Sequence, residues 1–132
     1  MTRYGIDAPT ALRLAREGVQ PSHQLVAPSV LRSDAMALLY AQVTRGDTAE
    51  STAREILERL TSLKVRVLGD RVSRGTAWKL AMDNEWDDTS EAEYISVTKL
   101  QADALVCLDP ELEKRAAGIV PLASYTDLLE QV

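Results

Sequence analysis

Four acidic residues have the type and spacing of a carboxylate centre, and they are Asp7, Asp34, Glu91 and Asp109. Asp7 follows the short stretch Tyr4–Ile6, and Asp109 follows the apolar run Ala104–Leu108, so each is predicted to stand directly after a β-strand. In open α/β sheets, ligands bind in the crevice beyond the carboxyl ends of the strands. Taken singly, each Asp is better explained as a turn residue than as a site residue.

Asp34 is predicted to lie on the buried face of a helix. The following stretch, from Ala35 to Thr44, contains no charged residue. A carboxylate on a buried face costs several kcal/mol unless it is paired or bound to a metal. This position therefore favours a functional role, and a buried ion pair to Arg13 or Arg32 is the structural alternative.

Glu91 begins a predicted helix, with Tyr94 and Ile95 next to it on the inward face. An acidic residue there also compensates the helix dipole, which is the structural alternative. Two strand ends, one helix face and one helix start can nevertheless converge at one edge of a sheet. Such an oxygen-only donor set suits Mg²⁺ or Mn²⁺ better than zinc. His23, in a Pro/Ser loop, is predicted to be a surface residue, and Cys107 an inert core thiol.

The elements that must position these acids alternate between strands and helices. The predicted strands are Arg3–Ile6, Val65–Leu68, Ala104–Leu108 and Ile119–Val120. Helices are predicted from a Thr10 cap to Arg16, from Ser29 to Arg45, from a Thr48 cap to Leu63, after Asp70 to Asn84, from Glu91 to Gln101, after Pro110 to Ala116, and at the C-terminus. This alternation predicts an α/β fold with a central, mainly parallel β-sheet flanked by helices, in a single domain over residues 1–132.

Composition limits the class of protein. No apolar run approaches the roughly 20 residues that cross a bilayer, and the first residues lack the apolar stretch of a signal peptide. The single cysteine has no partner for an intramolecular disulfide. We therefore expect a cytoplasmic protein with no membrane contact. The net charge of −5 opposes nucleic-acid binding, unless divalent cations or a local basic face reverse the balance.

The segments around the four acids resemble the PIN-domain family, and within it the VapC-like toxins of bacterial VapBC toxin–antitoxin pairs. From Glu91 to Asp109 the chain matches the family's acidic residue, Ala, any residue and Tyr, then an apolar helix, a strand and a final Asp, without a gap. From Leu25 to Asp34 it matches the family's Ala-Pro helix start, with an acidic residue six positions after Pro. Tyr4–Asp7 is a third, shorter match.

This resemblance implies a PIN-like fold and a Mg²⁺- or Mn²⁺-dependent endoribonuclease that cleaves RNA phosphodiester bonds as the toxin of a type II toxin–antitoxin pair. It implies that Asp7 and Asp109 are the principal metal ligands and that Asp34 and Glu91 complete the set or orient the attacking water. A cognate antitoxin is the implied protein partner. Apolar surface on the second and third helices also favours a homodimer or an antitoxin groove.

Other functions remain open. The family usually has Glu at position 34 and Asp at position 91, and Pro9 replaces a common Ser or Asn. These departures favour the alternative of a catalytically weakened PIN-like domain that binds protein or RNA. A response-regulator receiver needs an acidic pair after the first strand, and a haloacid-dehalogenase-like phosphatase needs Asp-x-Asp there, so Asp7-Ala8-Pro9 disfavours both. Arg71, Arg74 and Lys79 are candidates for contact with the RNA backbone, or they form a solvated helix face.

Overall fold

A five-stranded, all-parallel sheet runs through the centre of the protein in a computed structural model that describes residues 2–131. The strands are β1 (Arg3–Ile6), β2 (Gln24–Pro28), β3 (Arg66–Leu68), β4 (Ala104–Val106) and β5 (Leu122–Ala123). The helices are α1 (Ala8–Glu17), α2 (Leu31–Thr44), α3 (Glu50–Ser62), α4 (Arg71–Asp83), α5 (Ser90–Gln101), α6 (Pro110–Ala116) and α7 (Tyr125–Leu129).

The strands lie in the order β3-β2-β1-β4-β5, with β1 in the middle. Ile6, Leu105 and Val106 are fully buried on these strands, because helices cover both faces of the sheet. The predicted α/β class, with a parallel sheet flanked by helices, is confirmed and is consistent with a PIN-like fold. The order also places the ends of β1 and β4 side by side, where Asp7 and Asp109 follow.

β2 is a strand that the sequence reasoning did not identify. The segment from Leu25 to Pro28 was expected only to lead into a helix, yet it is buried and pairs with both β1 and β3. Its apolar run is short enough to suit either a buried strand or the start of a helix. Pro28 is tolerated because it is the last residue of the strand, and the N–H of the next residue, Ser29, continues the pairing to Leu68 O at 3.0 Å.

Other element boundaries moved by a few residues. The last strand was predicted at Ile119–Val120 but lies at Leu122–Ala123, where it pairs with β4. The first helix begins at Ala8 rather than after a Thr10 cap, because the Asp7 side chain caps it by accepting from Thr10 N. Thr48 does not cap α3, whose N-cap is Ala49.

Within residues 2–131, no helix combines the length and the apolar character needed to cross a membrane.

Candidate functional site

The four predicted acids line one open cavity of about 310 Å³ at the carboxyl edge of the sheet. Asp7 comes from the end of β1, Asp34 from α2, Glu91 from the start of α5, and Asp109 from the turn between β4 and α6. Residues far apart in the sequence therefore meet at the position where ligands bind in parallel α/β sheets. The other residues of the lining are Ala8, Pro9, Ala37, Leu38, Ser90, Tyr94 and Leu112.

Asp7 is the deepest of the four acids and is only 1% exposed. Its Oδ1 accepts from the backbone N–H and the hydroxyl of Thr10, and its Oδ2 accepts from the N–H groups of Leu108 and Asp109, both at 3.0 Å. Burial raises the pKa of this carboxyl, and the same hydrogen bonds oppose that rise. Asp7 thus ties the start of α1 to the residues that follow β4.

Asp109 sits at the N-terminus of α6 and accepts from Glu111 N through Oδ1 at 3.0 Å. Pro110 follows at the first helical position, where the missing N–H costs no hydrogen bond. Because the N–H of Asp109 is held by Asp7, the two carboxylates are positioned together. Asp109 lines the same cavity as the three other acids.

Glu91 lies in the first turn of α5 and is held by Arg115 of α6. The Nη1 of Arg115 lies 3.1 Å from Glu91 Oε1, while the same guanidinium contacts Glu111 and Asp87 and lies 5.1 Å from the centre of the Trp86 ring. The other carboxylate oxygen, Oε2, is buried and has no hydrogen-bond partner among residues 2–131. Burial raises the pKa of Glu91, Arg115 lowers it, and the nearby Asp109 raises it further.

Asp34 is exposed, so the prediction that it lies on a buried helix face was wrong. The buried face of α2 consists of Leu31, Ala35 and Leu39, one turn apart. The uncharged stretch after Asp34 instead gives α2 a solvent-facing apolar surface. Asp34 still faces the cavity, because its Oδ2 accepts from the Tyr94 hydroxyl at 2.7 Å.

The chemistry of this donor set fits a hard divalent cation, since all four groups are carboxylates. Glu91 Oε2 lacks a hydrogen-bond donor within the described chain, which is the condition of an oxygen available to a cation. The four acids are not close enough together to form a complete metal site. Within residues 2–131, no group of three or more His, Cys, Asp or Glu side chains is arranged to hold a metal ion. Asp7, with four donors on its two oxygens, is the acid least available to one.

Two residues with a clear place in the site were missed as site residues. The sequence pattern places Tyr94 only as an inward neighbour of Glu91, whereas in the structure its hydroxyl donates to Asp34 Oδ2 at 2.7 Å. Arg115 was not singled out, although its spacing from Glu111 puts the two on one helix face. Nothing in the sequence shows that this Arg reaches Glu91, because that contact depends on how α6 packs on α5.

Cys107, His23 and the basic residues of α4 lie outside the lining of the carboxylate cavity. Cys107 is buried, which raises its pKa to about 12, as suits an inert thiol. His23 is half-buried rather than a surface residue. The cations Arg71, Arg74 and Lys79 are exposed on α4, outside the lining of the carboxylate cavity.

The prediction of apolar surface on the second and third helices was half correct. Large exposed apolar side chains lie on α2 and α4, and α3, which the structure describes in full, has none. On α2 they include Met36 (49% exposed) and Tyr40 (70% exposed), and on α4 they include Trp78 and Met82. The periodic apolar residues of α3 are buried in the core, and they are Ala53, Ile56 and Leu60.

The comparisons with known proteins establish the fold. The crystal structure of PAE2754 from Pyrobaculum aerophilum matches with a TM-score of 0.69 and 22% sequence identity, over 97% of this chain and 94% of that chain. No family model matches the chain, and no curated protein matches it. At 22% identity the structural likeness concerns the path of the chain, and the chemistry must be argued from the side chains.

Proposed function

We propose that the protein is a Mg²⁺- or Mn²⁺-dependent ribonuclease that cleaves RNA phosphodiester bonds at the carboxylate cavity. One observation carries the proposal: Asp7, Asp34, Glu91 and Asp109, selected from the sequence, line a single cavity at the carboxyl edge of a parallel sheet. The resemblance of the same segments to PIN-domain proteins supplies the reaction class.

Asp109 is the residue that would hold the cation directly, because its Oδ2 accepts no hydrogen bond within residues 2–131. Glu91 Oε2, which also has no hydrogen-bond partner there, would act on the attacking water. Asp34 and Asp7 would complete the negative field around the cation. A bound Mg²⁺ or Mn²⁺ would polarise the phosphate and stabilise the charge that develops on it. Burial, and to a smaller extent the repulsion of neighbouring acids, raises the pKa of Glu91, and a bound cation would relieve that repulsion.

The side chains themselves have separate roles. Asp7 fixes the backbone of Asp109 and so aims its carboxylate. Glu91 Oε2 is suited to take a proton from the attacking water, because its raised pKa brings it nearer to the operating pH of a general base. Tyr94 restrains Asp34, so that this exposed acid keeps one orientation toward the cavity.

The direct test uses purified full-length protein, a fluorescently labelled RNA oligonucleotide, and Mg²⁺ or Mn²⁺ against EDTA. We expect metal-dependent cleavage that falls at least about a hundredfold in Asp109→Asn. Asp47→Asn removes an exposed acid that is paired only with Arg45 and should leave cleavage unchanged. Mn²⁺ binding followed by calorimetry gives a second readout. A folded protein, free of co-purified partners, that neither cleaves RNA nor binds Mn²⁺ would rule out the proposal.

A second function is a PIN-like binding module with little catalysis. It is favoured by the full hydrogen bonding of Asp7 and by the ion pair that occupies Glu91 Oε1. In this case the protein would retain RNA or protein binding without metal-dependent cleavage, and Asp109→Asn would not change that binding.

We further propose that the protein acts in the cytoplasm as the toxin of a toxin–antitoxin pair. The resemblance to VapC-like toxins and the exposed apolar side chains of α2 support a bound antitoxin or a homodimer. A gene for a small DNA-binding protein directly upstream would support the pairing. Growth arrest on expression, relieved by that upstream protein and absent in Asp109→Asn, is the expected result. Expression without any effect on growth would contradict it.

A further inference from the structure

A second cavity, of about 690 Å³, lies at the opposite edge of the sheet, where β1, β2 and β3 begin. We call it the amino-edge cavity, and it is lined by Arg3, residues 20–26 and residues 64–66. The lining joins the first residues of the three strands to the loops that precede β2 and β3. Its volume lies within the roughly 300–1,000 Å³ that small-molecule sites occupy.

The amino-edge cavity is positively charged in a protein whose net charge is −5. Its lining includes Arg3, Lys64 and Arg66 and no acidic residue. Within residues 2–131, none of these three cations forms an ion pair. Asp103 accepts the backbone N–H of Arg3 at 2.9 Å, but this acid lines a neighbouring cavity. Three cations without ion pairs give this cavity a positive potential that attracts anions.

Two side chains show that this site is organised. The Nε of Arg3 donates to Gln24 Oε1 at 3.0 Å, which holds the guanidinium while its two terminal nitrogens remain available. The His23 ring lies edge-on to Tyr4, with the ring centres 5.2 Å apart. The cavity wall therefore includes an aromatic pair, and His23 is the member of that pair that lines the cavity. His23 Nδ1 is buried and has no hydrogen-bond partner in the described chain.

We propose that the amino-edge cavity binds a small phosphate monoester of nucleotide size. The phosphate lies among Arg3, Lys64 and Arg66, because guanidinium groups match phosphate oxygens in charge and geometry. The organic part packs against the apolar wall of the cavity, which includes Pro21 and Val65. The site is separate from the carboxylate cavity, since the two lie at opposite ends of β1.

The test is a calorimetric titration of the full chain with adenosine 5′-monophosphate, adenosine and inorganic phosphate. We expect saturable binding of one equivalent of the monophosphate, weaker binding of phosphate, and no binding of adenosine. No binding of either phosphate compound would overturn the proposal. Equal affinity for phosphate and the monophosphate would overturn the role of the organic part.

Variants locate the site. Lys64→Gln with Arg66→Gln should weaken monophosphate binding at least tenfold, since both residues are exposed and the fold does not depend on them. Arg54→Gln removes an exposed cation that is paired with Glu50 outside the cavity, and it should bind as the parent does. Undiminished binding in the double variant, or amide NMR shifts confined to the carboxylate cavity, would overturn the assignment.

Discussion

Each acid of the carboxylate cavity has its own partner, and the partners differ in kind. Asp7 binds backbone N–H groups and the Thr10 hydroxyl, Glu91 binds a guanidinium, and Asp34 binds a phenol. These partners decide which carboxylate oxygens remain free for a ligand. At the scale of single residues, Asp7 is therefore a structural anchor, whereas Glu91 and Asp109 each keep one carboxylate oxygen that has no hydrogen-bond donor within residues 2–131.

Replacing Asp7 with Asn is expected to lower the free energy of unfolding by about 2 kcal/mol at neutral pH, because an amide nitrogen would face N–H donors. The pKa of Asp7 in the folded protein is raised above its ordinary value of 3.8, so the folded protein binds this proton more tightly than the unfolded chain does. The contribution of Asp7 to stability therefore falls as the pH rises from 3.8 through the raised pKa of the folded state. The variant should lose this pH dependence. Urea denaturation at several pH values measures both effects.

Asp70→Asn is the matched control for that substitution. Asp70 caps α4 by accepting from Ser73 N at 2.8 Å, but it is exposed. Asn caps helices about as well as Asp, so this variant should keep the parent's stability. Equal stability of both variants would contradict the anchoring role of Asp7.

Tyr94→Phe should reduce RNA cleavage about tenfold while keeping the protein folded, because the ring stays in place and only the hydrogen bond to Asp34 is lost. Tyr125→Phe is matched to it, since that hydroxyl donates to Glu17 Oε1 at 2.8 Å away from the cavity. Initial rates on the same RNA measure the effect. Parallel loss of activity in both variants would show that the role of Tyr94 is not specific.

Arg115→Gln is expected to shift the acid limb of the cleavage–pH profile to higher pH. Arg115 lowers the pKa of Glu91, which burial already raises above 4.5. Without the guanidinium, Glu91 stays protonated to a higher pH and cannot accept a proton from water. The same variant should bind Mn²⁺ more tightly, because a competing positive charge is gone. An unchanged acid limb of the cleavage–pH profile would show that Glu91 is not the general base.

At the scale of elements, the site depends on how closely α5 packs on β1. A Cβ added to Gly5 would lie 2.0 Å from Thr98 Oγ1 and 3.4 Å from Leu105 Cδ1. Thr98 is itself buried and donates to Tyr94 O at 2.9 Å, so it has little room to move. Glycine in the strand thus allows the helix that carries Glu91 and Tyr94 to approach the strand that precedes Asp7.

Gly5→Ala should destabilise the fold by about 1–3 kcal/mol through overpacking. The double variant Gly5→Ala with Thr98→Ala should recover part of this loss, because the contacted oxygen is removed. Thermal unfolding of the two single variants and the double variant gives the coupling energy. Additive effects would contradict a direct contact between these positions.

At the scale of the whole molecule, charge and apolar surface are distributed unevenly. Acids line the carboxyl edge of the sheet, while Arg3, Lys64 and Arg66 line the amino edge. Exposed apolar side chains are concentrated on α2 and α4. The net charge of −5 is a sum over the whole chain and does not give the local charge at either edge of the sheet. It therefore cannot be used to exclude an anionic ligand.

Tyr40→Glu should weaken any self-association or antitoxin binding that uses α2, since Tyr40 is 70% exposed. A buried charge in such an interface is costly, so we expect at least a tenfold loss of affinity. Sedimentation equilibrium of the variant and the parent measures it. Thr61→Glu, on the polar exposed face of α3, is the control and should leave association unchanged.

The strand that precedes Asp7, the parallel α/β class and the helix that begins near Glu91 were predictable from local pattern. The strand before Asp109 was also predicted, but it ends at Val106 rather than at Leu108. These features depend on apolar runs and on neighbours within a few positions. β2 was not predictable from local pattern, since the short run from Leu25 to Pro28 suits a buried strand or a helix start equally well. The exposure of Asp34 also escaped prediction, because an uncharged helix does not reveal which of its faces is covered.

The sequence by itself determined the four candidate acids, because residue type and the ends of apolar runs are local properties. Only the tertiary structure decided which of their oxygens are free. Arg115 reaches Glu91, Tyr94 reaches Asp34, and Asp7 reaches the N–H of Asp109 across distances of 24, 60 and 102 positions in the chain. Such contacts follow from the packing of helices on the sheet, and no short-range pattern encodes them. The basic amino-edge cavity arises in the same way, since the strand order brings together cations from two segments that are about 60 positions apart in the chain, Arg3 and the pair Lys64 and Arg66.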